Sequence, residues 1–429
     1  MKIVNIVPGF GGTFYCGNCL RDSVYAASLR EAGHDAVTLP VYLPLDIGDT
    51  RPETPVPVFY GAVSIYLRQQ FPIFRHMPGW MEDIFDSGPL LRYAARKSGS
   101  TRASGLEQLT ESMLLGRDGN QRHELDRLVS HLRDHEKPDV VHLSNALLLG
   151  MAQQIREEAG IPVVCSLQDE DVWVDAMEPA WQERIWRLMA GKARDVAAFI
   201  AVSKTFAGMM TERMEIPGEK LHVVPIGVKP EKYVVTPPAS EPPALGYLSR
   251  ICHDNGFHIL VDAFIALRND PRFSTLRLFA TGGMTGDDRS FFSEQLKKLR
   301  HHGLAEAFVY RDDFHPGHLG DFFRDITILS VPVLKGEAFG LYQLEALASG
   351  VPLVQPALGA FPEVIGATEG GVLFEPNSPA ALAATLSELL PDQARLHGMS
   401  RAGRDAVERL FDSRILTQRI LEIYLNVTS

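Results

Sequence analysis

Two glutamates separated by seven residues, Glu337 and Glu345, bracket a Phe339-Gly340 turn in GEAFGLYQLEALASGVPLVQPALGAFPE at 336–363. The segment from Leu341 to Ser349 reads as a helix stopped by Gly350 and Pro352, which places Glu337 in the loop at the helix mouth and Glu345 on the helix. The N–H groups of residues 340–342 have no partner inside such a helix and face one point, a ready site for an anion. One carboxylate can accept hydrogen bonds from sugar hydroxyls and the other from ribose hydroxyls, with a diphosphate on the backbone between them. That geometry suits a nucleotide sugar.

The elements that must carry these residues are short apolar runs alternating with helical patterns. KIVNIV (2–7), DVVHL (139–143), IPVVCSL (161–167), AFIAV (198–202) and LHVVP (221–225) read as buried strands. Residues 19–32 form the first crossover helix, closed by Gly33. Such alternation predicts a parallel sheet covered on both faces. A proline-rich break with no helical period follows, and then a second series: ALGYL (244–248), LRLFATGG (276–283), AFVY (307–310), ITILSV (326–331) and VPLVQP (351–356). The fold class is α/β with two Rossmann-like domains. We place the first domain at 1–235, with a helical insertion at about 45–136, the linker at 236–243 and the second domain at 244–411. A helix at 412–429, apolar around most of its circumference, is placed to pack back on the first domain.

The 429 residues suggest two domains at roughly 100–200 residues each. With 42 basic against 53 acidic residues the net charge is −11, which argues against a nucleic-acid partner and requires any phosphate to be held by a local arrangement. No run approaches the roughly 20 apolar residues of a membrane span. Four cysteines (Cys16, Cys19, Cys165, Cys252) do not make a disulfide framework, and a cytoplasmic location fits. Within 62–102 basic residues (Arg68, Arg75, Arg92, Arg96, Lys97, Arg102) outnumber acidic ones (Glu82, Asp83, Asp86). Two readings stand there: a solvated helical hairpin, favoured by the lack of a clean basic face, and weak peripheral contact with an anionic membrane.

The ordered run over 336–363 resembles the donor-site signature of family-4-type retaining glycosyltransferases, which have the GT-B fold, two Rossmann-like domains facing across a cleft. The resemblance extends to a glycine-rich turn after the first strand (Gly9, Gly11, Gly12), AFIAVSKTF (198–206) with VVPIGVKPEKY (223–233), GYLSR (246–250) and GGVLFEPNSPAALA (370–383). It covers most of the chain except 45–136. By resemblance Glu337 contacts the donor sugar and positions its anomeric carbon, and Glu345 holds the ribose. Phe339, Gly340 and Leu341 form the turn that meets the donor. Arg250 neutralises the departing diphosphate, a task suited to a guanidinium fork. Gly11 and Gly12 match the loop that approaches the donor diphosphate or the acceptor. The implied reaction moves a glycosyl group from a nucleoside-diphosphate sugar to a carbohydrate, glycoside or lipid-linked acceptor with retention, the leaving phosphate helping to deprotonate the acceptor. No metal or other cofactor is expected.

The chain also departs from that pattern. The family pairs its arginine with a lysine five residues later, before a glycine, and here that position is Asn255, a candidate donor-binding residue, followed by Gly256; His253, His258 and Lys335 are the candidate replacements for the missing charge. Ser144 stands where many members carry an acceptor-facing histidine, and Gln168-Asp169 where a second is common. Asp169-Glu170-Asp171 formally matches a D-x-D metal motif, but after a parallel strand it reads better as a polar acceptor loop, with Asp169 a general base or hydroxyl ligand. Cys16-Gly17-Asn18-Cys19 has a local structural role, or is redox-active, or is half of a metal site that Cys165 or His142 would complete. His142 reads as a core histidine. Phe14, Tyr15 and Trp173 are either cleft-lining or core. TGGMTGDD at 281–288 has no assignable role. Two rival functions share the fold: a glycoside phosphorylase, and a non-catalytic sugar- or nucleotide-binding protein.

Overall fold

A computed structural model describes residues 1–9, 14–42, 105–236 and 242–429. Gly11, Gly12, the basic segment 62–102 and most of the linker lie outside the described residues. The chain divides into two compact units: Met1–Gly12, Asn18–Pro225 and Leu416–Ser429 form one, and Thr13–Gly17 with Ile226–Ile415 form the other.

Among the described residues the first unit holds a six-stranded sheet in the order β2-β1-β3-β4-β5-β6, every pair parallel. The strands are β1 (Lys2–Val7), β2 (Asp35–Pro40), β3 (Val140–Leu143), β4 (Val163–Leu167), β5 (Ala198–Ala201) and β6 (Leu221–Val223). Their apolar runs are continuous because both faces are covered: Ile3, Val4, Ile6, Val140 and Val164 have no exposed surface. Helix α1 (Gly17–Glu31) ends before Gly33, whose φ of +86° closes it. In the part of the insertion that is described, α2 (Glu107–Leu115) and α3 (Arg122–His131) are helical. The last helix, Ser413–Thr428, inserts Leu416, Ile420, Leu421 and Tyr424 into the same core as Ile3, Tyr25 and Val164. Each such buried side chain contributes roughly 1.5–3 kcal/mol relative to exposure, which ties the C-terminus to the first unit.

The second unit repeats the plan with β7 (Ala244–Leu248), β8 (Arg277–Thr281), β9 (Phe308–Tyr310), β10 (Ile328–Leu329), β11 (Leu353–Pro356) and β12 (Gly371–Phe374), parallel in the order β12-β11-β10-β7-β8-β9. Strand order reverses between β7 and β10, and in open parallel sheets ligands bind beyond the carboxyl ends of the strands at such a point. In the first unit the reversal lies between β1 and β3.

Three boundaries differ from the sequence reading. Residues 226–235 belong to the second unit, because Val228 N–H donates to Phe411 O at 2.9 Å, Thr236 N–H to Ser349 O at 3.1 Å, and Tyr233 bonds Glu345. Residues 412–415 also stay there, where Ser413 N–H donates to Val228 O at 2.8 Å. Residues 13–17 leave the first unit, since Tyr15 N–H donates to Gly282 O at 2.8 Å and Phe14 bridges Gly283.

Candidate active site

In the second unit the loops that follow β7 and β10 meet at the reversal point. A Cβ on Gly256, at φ +73°, would stand 1.9 Å from Pro332 O, so only glycine lets the two backbones approach. Leu334 N–H then donates to Asp254 O at 2.9 Å. One loop carries Arg250 and Asn255, the other Glu337. Tyr247, buried on β7, registers both: its phenol feels the charges of Glu337, Arg250 and Asp288, and its hydroxyl donates to Arg250 O at 3.1 Å.

The loop from β10 turns through Gly340, at φ +82°, into the helix Leu341–Ala348, as the spacing predicts. Every residue of that helix is buried. Glu337 is half-buried at its mouth and accepts the Tyr342 hydroxyl at 3.1 Å. Glu345, one turn in, is 1% exposed. The Tyr15 hydroxyl donates to its Oε2 at 2.5 Å and the Tyr233 hydroxyl to its Oε1 at 3.0 Å. Burial pushes the Glu345 carboxyl up to about 7, against the opposing effect of the two phenols. Tyr15, Glu345 and Tyr233 thus form one hydrogen-bonded cluster around the buried carboxyl, and Tyr342 with Glu337 a second at the helix mouth.

Arg250 is held by a residue that sequence reasoning left without a role. Its Nε donates to Asp288 Oδ2 at 2.9 Å and its Nη2 to Oδ1 at 3.2 Å. Asp288 is fixed by the Thr285 N–H at 3.0 Å and the Thr285 hydroxyl at 2.6 Å. Burial opposes its ionisation, but Arg250 and Thr285 outweigh that and hold the carboxyl below its ordinary range. TGGMTGDD is thus the loop that seats the arginine. Asn255 does not stand in for a lysine in this arrangement. Its amide donates to Ser249 Oγ at 2.8 Å and to Arg250 O at 3.2 Å, which braces the turn. His253 and His258 stack on each other with centroids 4.4 Å apart, and Lys335 is exposed.

In the first unit a polar loop sits beyond β3 and β4. Asp169 adopts φ +57°, unusual for a residue with a side chain, and its Oδ2 accepts the Asn18 amide at 2.7 Å. Glu170 is buried and accepts the N–H groups of Ala146 and Gln168, both at 2.7 Å; burial lifts its carboxyl to about 8. Burial and the neighbouring Asp169 charge lift Asp171 to about 6. Gln168 donates to Ser144 O at 2.6 Å. Trp173 donates to Thr110 Oγ1 at 3.2 Å. His142 is a core residue, bonded to Ser166 Oγ at 2.8 Å and to the Tyr424 hydroxyl, and burial together with Arg21 depresses it to about 3. Cys16 and Cys19 are disulfide-bonded, which leaves neither as a thiolate metal ligand; Cys165 and Cys252 are free and buried. Among the described residues no group of three His, Cys, Asp or Glu is placed to hold a metal ion, and no helix is long and apolar enough to cross a membrane.

Comparison with known proteins agrees with this architecture. Residues 242–392 match the family described as Glycosyl transferases group 1, and residues 111–232 match Glycosyltransferase Family 4. The chain is 27% identical over 233 residues to the lipopolysaccharide core biosynthesis mannosyltransferase LpsB of Rhizobium meliloti, a match covering 53% of this chain and 62% of that protein. It therefore spans about six tenths of that relative's length. Its fold superposes on sucrose-phosphate synthase from Thermosynechococcus elongatus with a TM-score of 0.72 at 16% identity, covering 100% of this chain and 99% of the other. It also superposes on Anabaena Alr3699/HepE, crystallised in complex with UDP, with a TM-score of 0.67 at 17% identity, covering 99% and 100%. The fold is that of GT-B proteins. The chain thus carries a segment matching each of the two glycosyltransferase domain families on that fold.

Proposed function

We propose that this glycosyltransferase moves a sugar from a nucleoside-diphosphate sugar to an acceptor hydroxyl with retention of anomeric configuration. The observation that carries the reading is the placement of Glu337 and Glu345 on either side of the Gly340 turn, in the same unit as Arg250. Glu345 takes the ribose hydroxyls. Glu337, oriented by Tyr342, takes the donor sugar and positions its anomeric carbon. The diphosphate lies against the first N–H groups of the helix, and Arg250, aimed by Asp288, meets the charge that builds as it leaves. The leaving phosphate accepts the acceptor proton, and the reaction needs no metal. That HepE, which shares the fold, was crystallised with UDP supports a nucleotide ligand for the second unit.

In the first unit the loop 168–171 is the acceptor site. Asp169 orients the acceptor hydroxyl, held in its unusual backbone conformation with Asn18 on its carboxylate. The acceptor is a carbohydrate, a glycoside or a lipid-linked sugar. The test offers UDP-, GDP- and ADP-sugars with a panel of such acceptors, follows nucleoside-diphosphate release and reads the product anomer by NMR. A product with the donor's anomeric configuration is the expected result. Phosphate-dependent cleavage of a glycoside without nucleotide would overturn the reading.

A further inference from the structure

Residues 14–17 lie along the second unit as a short strap, and Phe14, Tyr15 and Gly17 each meet a group assigned above to the donor. Tyr15 N–H donates to Gly282 O at 2.8 Å, and Phe14 makes an antiparallel bridge to Gly283. Those contacts set the Phe14 ring 5.7 Å from the Arg250 guanidinium carbon. They also bring the Tyr15 hydroxyl onto Glu345 Oε2 at 2.5 Å. Two residues on, a Cβ on Gly17 would stand 3.4 Å from Leu341 Cβ and 3.9 Å from Leu341 N, so the strap crosses the first residue of the helix. One four-residue segment thus touches the arginine, the helix start and the ribose glutamate.

The consequence is steric and chemical together. Tyr15 is 7% exposed and Glu345 1%, so a ribose has no route to the carboxylate while the phenol stays in place. A phenol O–H on a carboxylate oxygen is also the same kind of hydrogen bond that a ribose hydroxyl makes. Tyr233, bonded to the other oxygen, arrives from a different stretch of chain, and its carbonyl is held by Arg404 at 3.2 Å.

We propose that residues 14–17 are an intrasteric strap: the Tyr15 phenol occupies the place of a donor ribose hydroxyl and Phe14 covers the diphosphate arginine, so that nucleotide binding requires the strap to lift. The proposal rests on the donor-site reading above. Tyr233 stays in place in both states and keeps Glu345 oriented. Lifting exchanges one hydrogen bond to the carboxylate for another, so the strap acts as a competitor that lowers apparent affinity by the fraction of time it is seated.

The test measures binding of UDP, GDP and ADP by calorimetry to the full chain, as wild type, Tyr15→Phe, Phe14→Ala and Tyr233→Phe, each checked for an unchanged melting profile. Loss of a hydrogen bond to a charged group unseats the strap, and the nucleotide that binds wild type is expected to bind Tyr15→Phe about tenfold more tightly. Phe14→Ala shifts affinity the same way, whereas Tyr233→Phe gives no tightening. A nucleotide detected only with the Tyr15 or Phe14 variants also supports the strap. If wild type binds a nucleotide and Tyr15→Phe binds it equally or less well, the strap is wrong and the donor site stands. If no nucleotide binds any variant, the donor-site reading is wrong and the strap falls with it.

Discussion

The Arg250 guanidinium and the Asp288 carboxylate meet through two hydrogen bonds, at 2.9 and 3.2 Å, although 38 positions separate them. Asp288 is 5% exposed and locked by Thr285, so it fixes the direction in which Arg250 points. Replacing Asp288 by alanine strands the Thr285 N–H and hydroxyl and lets the guanidinium turn. We expect Asp288→Ala to cost about 1–3 kcal/mol of stability, read by denaturant titration. Its kcat should fall about tenfold with a smaller change in KM, and Asp288→Asn, which keeps an acceptor, should recover part of the loss.

Arg250 itself should not tolerate lysine. An ammonium cannot fork onto two phosphate oxygens while also engaging Asp288. Because its charge matters most as the diphosphate departs, Arg250→Lys is expected to lower kcat by about a hundredfold while leaving KM within a few-fold, measured as nucleoside-diphosphate release. Equal losses in binding and turnover would show that the residue only holds the ground state.

Glu345 imposes a pH dependence whose sign follows from burial. Its carboxyl is lifted from 4.5 to about 7 in the folded chain, so between those values the folded state keeps a proton that the unfolded state has lost. Stability therefore falls as pH rises from 4.5 to 7, by up to roughly 3 kcal/mol, and is flat above. Glu345→Gln should remove that slope in urea titrations taken across the window. Nucleotide affinity should run the other way in wild type, rising as pH passes 7, because the ionised carboxylate is the stronger acceptor for a ribose hydroxyl.

His142 gives the opposite linkage in the first unit. Burial lowers it from 6.5 to about 3, so below pH 6.5 the unfolded chain takes up a proton that the folded chain refuses. The stability it contributes is complete above pH 6.5 and is lost as pH falls toward 3. His142→Gln should flatten the acid limb of the stability curve over that range. An unchanged limb would place the acid sensitivity elsewhere.

The strands legible in the sequence were those written as continuous apolar runs, the buried central strands together with the half-buried edge strands β6 and β9. Two edge strands escaped notice, β2 and β12, whose burial is irregular and includes the exposed Asp35 and Leu373 (DAVTLP and GVLF). Strand β10 was legible as an apolar run but is only two residues long. Glu337 and Glu345 could be read because their relationship is local, seven residues around one turn. Asp288 and Tyr233 could not, because their partners lie 38 and 112 positions away and only the sheet order brings them together. Tyr342 was hidden as an ordinary apolar residue of a buried helix, and only its hydroxyl on Glu337 gives it a role. Asn255 at the lysine position braces the turn beneath Arg250, a relationship that only the folded turn reveals.

The most direct test of the account is calorimetric titration of UDP, GDP and ADP, in EDTA, into wild type, Arg250→Ala and Glu345→Ala. One of these nucleotides is expected to bind wild type without metal, and each substitution to weaken it about tenfold or more. Failure of all three nucleotides to bind, together with saturable binding of inorganic phosphate, would contradict the donor site and favour a phosphorylase on the same fold.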